Sequence, residues 1–211
     1  MLTSEHLSFS HAVFEAVSGF TTTGLTLVNV TVASRSILLW RAILQLVGGA
    51  GLAIVMIVAL VGPRGAVVTA AEGRGDQLTP NVRHSARMVI VLYSGYVALG
   101  LAGYAAAGLS LFDAVTHTFT AVATGGFSNY TDSIGHWDSP LVESVTLVLM
   151  LLGNLNFVTA WILVRGNVGA FLRNGEIRLL VTVVTIAALL LFGVTALPLL
   201  GSTAKAVRIS L

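Results

Sequence analysis

Ala12-Val13-Phe14-Glu15-Ala16-Val17-Ser18-Gly19-Phe20-Thr21-Thr22-Thr23-Gly24-Leu25-Thr26 returns 102 residues later as Ala114-Val115-Thr116-His117-Thr118-Phe119-Thr120-Ala121-Val122-Ala123-Thr124-Gly125-Gly126-Phe127-Ser128. The shift places Ala12-Val13 on Ala114-Val115 and Ser18 on Thr120. It also places Thr22 on Thr124, Gly24 on Gly126 and Thr26 on Ser128. The two stretches lie in charge-free windows, residues 16–34 and 114–131, and each window holds five Thr. Such windows are too polar for a lipid-facing helix. Each opens with a helix-compatible stretch, residues 11–20 and 113–122, and then breaks into Thr and Gly. That profile predicts a re-entrant segment, a half-helix followed by extended backbone, which membrane depth tolerates only when protein or an aqueous cavity encloses it.

Working outward, four further charge-free runs cover residues 42–63, 88–112, 144–164 and 179–204. Each exceeds the roughly 18–20 apolar residues that cross a hydrocarbon core. Of 211 residues only 9% are charged and 55% are hydrophobic, against about a quarter charged in soluble domains. The chain therefore reads as an all-α integral membrane protein. The repeat continues into the spans after a three-residue slip, where Gln45-Leu46-Val47-Gly48-Gly49 faces Met150-Leu151-Leu152-Gly153-Asn154. The repeating unit is half-helix, Thr/Gly stretch, outer loop and full span, and the second copy has a span before it, residues 88–108. Both copies put the polar stretch on one side, so the repeat is parallel and suits a central pore.

The loop at 64–87 carries Arg64, Arg74, Arg83 and Arg87, and the loop at 165–178 carries Arg165, Arg173 and Arg178. The connection 129–143 holds Asp132, Asp138 and Glu143 with no Lys or Arg. The positive-inside rule puts the Arg loops in the cytoplasm and the pore loops outside, in the cell membrane. Arg35 and Arg41, near the outer end of the first span, read as snorkelling residues. Lys205 and Arg208 run against this topology. A net charge of +2 without a basic stripe leaves no footprint for nucleic acid. The absence of Cys excludes disulfide and thiolate chemistry. No nucleophile–base pair marks an enzyme, and His84 and His117 lack further ligands at metal spacing.

A cation crossing a bilayer trades its water shell for other oxygens, and an extended stretch supplies them as backbone carbonyls. Gly accepts the unusual dihedrals this requires. Thr22, Thr23, Gly24 and Leu25 form one candidate filter, and Thr124, Gly125, Gly126 and Phe127 the other. The negative C-terminal end of each preceding half-helix favours cations. Asp113 sits where the second half-helix begins and suits its cap. Glu15 is expected to brace the backbone behind the first filter. Asn154 either lines the path below the filter or bonds another helix. Gly48, Gly49 and Gly51 are a gating hinge or, more ordinarily, sites of close helix contact.

Phe14-Glu15-Ala16-Val17-Ser18-Gly19-Phe20-Thr21-Thr22-Thr23-Gly24 resembles the first pore loop of the Trk/Ktr/HKT superfamily of potassium transporters. Trp40-Arg41-Ala42-Ile43-Leu44-Gln45-Leu46-Val47-Gly48-Gly49 is similar to the helix that follows it in the TrkH branch. The likeness continues through Thr124-Gly125-Gly126-Phe127-Ser128, Asp132-Ser133-Ile134-Gly135 and Asp138-Ser139-Pro140. It implies tandem span–pore-loop–span repeats of the potassium-channel-like type, K+ as the transported ion with no organic cofactor, and filter glycines at Gly24 and Gly126. It also implies a cytoplasmic nucleotide-binding regulatory subunit as partner.

The family has four such repeats and this sequence two pore loops. The expected organisation is a pore loop and second span of repeat one (1–62), a cytoplasmic loop (63–87), repeat two (88–164), a second cytoplasmic loop (165–178), and the first span of an incomplete repeat three with a tail (179–211). Two loops do not encircle an ion. The expectation is a fragment or truncated pore subunit, or one that pairs with a second copy or with the missing C-terminal half. The alternative class is a non-conducting membrane assembly protein or decayed gene product.

Overall fold

The structure is a computed structural model that describes residues 7–61 and 82–193, and it is helical throughout them apart from turns and loops. The helices are α1 (Phe9–Phe20), α2 (Arg35–Val61), α3 (Val82–Ala106), α4 (Leu111–Val122), α5 (Pro140–Asn154), α6 (Phe157–Val164), α7 (Val168–Arg173) and α8 (Gly175–Leu191). A 3-10 turn, Ser133–Trp137, precedes α5. The chain forms two compact units, Met1–Asn154 and Leu155–Leu211. Among the described residues one helix, Arg87–Ala106, is long and apolar enough to cross a membrane. At 27 residues α2 is about 40 Å long by its helical rise. Arg64, Glu72, Arg74, Asp76, Lys205 and Arg208 lie outside the described residues, as does the end of the last expected span.

Both half-helices end where the sequence puts them, at Phe20 and Val122, and both begin two residues earlier than expected. Each is 12 residues long and starts from a serine cap: Ser8 accepts from the amide of His11 and Ser110 from the amide of Asp113. Asp113 is therefore not the cap. It is the third helical residue, and its carboxylate accepts from the Ser110 hydroxyl at 2.7 Å. This is a variant of the reciprocal capping box, with the serine hydroxyl bonding the carboxylate while its oxygen receives the helical amide.

In the first unit α1 packs on α2, α2 on α3 and α4, and α3 and α4 on each other and on α5. Close approach depends on small residues. A Cβ at Gly48 would overlap the carbonyl of Phe20, and one at Gly153 would overlap the carbonyl of Val122. These are the last residues of the two half-helices, so each span glycine presses against the end of its own copy's half-helix. Gly49 lies against Ala123 and Tyr93, whereas Gly51 has only Val47 at 4.0 Å. Close contact thus accounts for Gly48 and Gly49. Gly48→Ala is expected to destabilise this unit by about 1–3 kcal/mol, the range for overpacking, while Gly51→Ala costs less than about 0.5 kcal/mol. Thermal unfolding in detergent reads both, and equal losses at the two positions would refute the contact argument.

The run 144–164 is not one helix. α5 stops at Asn154, and α6 begins at Phe157 with Asn156 as cap, its side chain accepting from the Val158 amide at 2.9 Å. Asn side chains compete with the helix for backbone groups, and this one ends the run that charge counting alone joins. Within the second unit the Glu176 carboxylate accepts from the Asn156 amide at 2.7 Å and from the Thr159 hydroxyl, and Asn174 donates to Thr159 at 3.0 Å. The expected loop 165–178 contains α7 and the start of α8.

Candidate ion-filter segments

Both half-helices end in the same Schellman motif. After α1 the Thr22 amide bonds the Gly19 carbonyl at 3.1 Å and the Thr23 amide bonds the Ser18 carbonyl at 2.9 Å. After α4 Thr124 bonds Ala121 at 3.0 Å and Gly125 bonds Thr120 at 2.8 Å. This motif places the residue after the cap in the left-handed region, where Gly is usual. Here that residue is Thr, with φ 54° at Thr22 and 51° at Thr124. A β-branched residue there is strained, and strain of about 1–3 kcal/mol persists only where the surroundings impose it. Two residues on, Gly24 and Gly126 both have φ 80°, while Thr23 and Gly125 stay outside that region. Residue type alone points to glycine for the unusual dihedrals; the structure divides them between threonine and glycine, in the same order in each copy.

Behind each segment stands a brace at matching positions. The Glu15 carboxylate accepts from the Thr26 hydroxyl at 2.7 Å and from the Leu27 amide at 2.9 Å. At the equivalent place His117 Nε2 lies 3.0 Å from the Ser128 hydroxyl. Thr26 and Ser128 then accept from the amides two residues on, Val28 and Tyr130, both at 3.1 Å. Ser18 donates to the Leu25 carbonyl at 2.6 Å. Asp113 accepts from Asn129 at 2.9 Å and Tyr130 at 3.2 Å. Burial by itself would raise the Asp113 carboxyl, but the donors Ser110, Asn129 and Tyr130, with His117 nearby, outweigh it and hold it below the ordinary carboxylate value. Burial, and then the Asp113 carboxylate, push the Tyr130 phenol up. Among the described residues no group of three side chains suited to a metal ion forms.

Arg41 overturns the snorkelling expectation. It is 1% exposed and its Nε donates to Glu15 at 2.7 Å, the carboxylate itself being fully buried. Its Nη2 donates to Thr26 at 2.8 Å, and its guanidinium lies 4.0 Å from the centre of the Phe127 ring. One arginine therefore touches both copies. Arg35 begins α2 and stacks over Phe112 at 5.5 Å.

Gln45, one turn beyond Arg41 and fully buried, is the second cross-link. Its amide donates to the Gly125 carbonyl at 2.6 Å and accepts from the Phe127 amide at 3.3 Å. The Gly125 carbonyl, expected to face an ion with its neighbours, thus has a protein donor. The two segments meet directly, since a Cβ at Gly24 would overlap the Gly125 carbonyl. A cavity of about 290 Å³ opens over the junction, lined by Gly24, Thr26, Arg41, Gly126, Phe127 and Ser128 among others. Leu25 is exposed where its counterpart Phe127 is buried under Arg41. Asn154 is the exposed last residue of α5. Gln45 carries no role in the sequence reading and Arg41 only that of a snorkelling residue, although both stand in the motif quoted for the helix after the first loop.

A sequence model of the TrkH family, described as a cation transport protein, matches residues 1–204. The chain belongs to the TrkH family. It is 36% identical over 182 residues to the Trk system potassium uptake protein TrkG of Escherichia coli K12, covering 82% of this chain and 37% of that protein. Escherichia coli K12 TrkH is 33% identical over 202 residues, covering 90% and 42%. The crystal structure of the potassium transporter TrkH from Vibrio parahaemolyticus superposes with a TM-score of 0.81 at 27% identity, covering 97% of this chain and 42% of that one. The chain thus spans about two fifths of the length of the relatives it matches, and those relatives are named as potassium uptake proteins or potassium transporters.

Proposed function

We propose that this TrkH-family chain contributes two segments of a potassium-selective filter to an uptake pathway across the cytoplasmic membrane. One observation carries the reading. The strained Thr and left-handed Gly recur in the same order, at Thr22 and Gly24 and at Thr124 and Gly126, at the ends of two equivalent half-helices whose filter segments meet. Left-handed residues at alternate positions keep the helix from continuing and free backbone carbonyls of a short segment to face a dehydrated cation. In this reading Thr22, Thr23, Gly24 and Leu25 and Thr124, Gly125, Gly126 and Phe127 line the ion path. Glu15 and Asp113 hold the backbone behind it, and Asn154 stands at the end of the span below. The names of the matched relatives support K+ as the cargo.

Two segments line only part of a ring, so the proposal includes further segments from a second copy or from the remaining length seen in relatives. It also includes pore loops facing outward and a cytoplasmic nucleotide-binding regulatory subunit, as the family resemblance implies. The test is growth at low K+ and initial K+ uptake in a bacterium stripped of its own uptake systems, carrying the complete reading frame that includes this chain. Rescue of growth with saturable K+ uptake is the expected result. Absence of uptake, with no protection of the purified protein by K+ over Na+ against heat, would refute the reading.

A further inference from the structure

Gln45 is joined to the second filter segment across 80 residues of sequence, and its two bonds flank a single residue. Gly126 lies between the carbonyl of Gly125 and the amide of Phe127, and both of those groups are held by the one side-chain amide. Gly126 itself has no heavy atom within 4 Å of where a Cβ would stand, so nothing packs against it on that side. The two Gln45 bonds hold the peptide planes on either side of it.

Those planes have calculable directions. No cis peptide occurs among the described residues, and across a planar trans peptide the C=O and N–H point in opposite directions. The Phe127 N–H points at Gln45, so the Gly126 carbonyl points away from it. The Gly125 carbonyl points at Gln45, so the Gly126 N–H points away. Gly126 is exposed and lines the cavity over the junction of the two segments. A carbonyl oxygen has two lone pairs, so the Gln45 bond fixes the direction of the Gly125 oxygen and leaves one lone pair.

Gly125 fits the pairing in its residue type. Its φ is not positive, so its backbone conformation does not require glycine. What requires it is space, because a Cβ at 125 would overlap the Gln45 amide. Residue 125 is bare so that Gln45 can reach the main chain. The preceding turn of α2 adds Arg41, which bonds Glu15 and Thr26 of the first copy and covers Phe127 of the second. Residues four apart share a helix face, so one face of α2 registers the two segments against each other.

We propose that Gln45 is a positioning residue that aims the Gly126 carbonyl at the ion path and holds the Gly125 carbonyl aside, and so sets the discrimination between K+ and Na+. The inference rests on the filter reading above. Discrimination depends on how many carbonyls are presented and how firmly they are held, and a segment freed from Gln45 loses control of both neighbouring planes.

Gln45→Met keeps the length and volume of the side chain and removes both bonds. In the uptake-deficient strain the ratio of K+ to Na+ uptake is expected to fall about tenfold, the size that losing buried hydrogen bonds produces, with the protein still present in the membrane. Gln45→Glu keeps an acceptor for Phe127 but sets a carboxylate against the Gly125 carbonyl, and a larger fall is expected. A merely structural Gln45 would lower the amount of protein and leave the ratio of the remainder unchanged, which would overturn the inference while leaving the filter reading intact. If either variant fails to accumulate, K+-dependent heat protection of purified Gln45→Asn decides, since Asn is one methylene too short to hold both groups. Protection by K+ over Na+ equal to that of the unmodified protein would overturn the inference, and its loss would support it. An unmodified protein showing neither uptake nor K+-dependent protection removes the filter reading itself.

Discussion

Replacing Arg41 with Met is expected to lower the stability of the first helical unit by about 3–5 kcal/mol, the range for breaking a buried ion pair from one side. The reason lies in what remains. The Glu15 carboxylate, fully buried, would keep its bonds from Thr26 and Leu27 but lose the cation 2.7 Å away. Glu15→Gln strands the guanidinium instead and is expected to cost about as much. The double variant leaves no uncompensated charge and should be more stable than either single one, so the two changes should be strongly non-additive. Arg41→Lys should fall between, since an ammonium lacks the planar fork that here reaches Glu15 and Thr26 together while stacking on Phe127. A double-mutant cycle of unfolding temperature in detergent measures the coupling. Simple addition of the two single losses would show that the pair does not act as a unit.

Much of this arrangement could be read in the chain, and particular residues show why the remainder could not. The ends of the half-helices at Phe20 and Val122 were legible because Thr and Gly break a helix locally, and duplication marks the same break twice. Asp113 was misplaced because Ser110-Leu111-Phe112-Asp113 offers two residues that cap helices well, and only the observed start at Leu111 decides between them. Arg41 was misread for a longer-range reason. A cation near the end of an apolar run ordinarily reaches for water, and its true partner lies 26 residues earlier on a different helix. Gln45 gave still less signal, since a single amide in an apolar run becomes meaningful only when it is seen against Gly125. Asn156 had a local signal, the Gly153-Asn154-Leu155-Asn156 cluster, which counting charges ignores. The half-helix ends were readable because their cause is local and repeated, whereas Gln45 was hidden because its role is a contact between the two copies.

Gly24→Ala is expected to reduce K+ uptake far more than Gly126→Ala, although both glycines have φ 80°. Strain is common to the two. A non-glycine residue in the left-handed region costs about 1–2 kcal/mol, which shifts the population holding the native backbone by a factor of about 5–30. At Gly126 nothing lies within 4 Å of the added Cβ, so the effect should end there. At Gly24 the Cβ would meet the Gly125 carbonyl oxygen, and the obstacle is main chain, which cannot rotate away as a side chain does. Relief requires the two segments to part, against the bonds that Gln45 makes to the second segment and the stacking of Arg41 on Phe127. Overpacking of this kind adds about 1–3 kcal/mol, at least a further several-fold loss. Asn separates the two causes, because it enters the left-handed region more readily than Ala. Gly126→Asn should recover part of the activity lost in Gly126→Ala, while Gly24→Asn should recover none, since its Cβ occupies the same forbidden place. Initial K+ uptake normalised to protein in the membrane gives the comparison, and equal losses in Gly24→Ala and Gly126→Ala would mean that the close approach of the two segments has no bearing on transport.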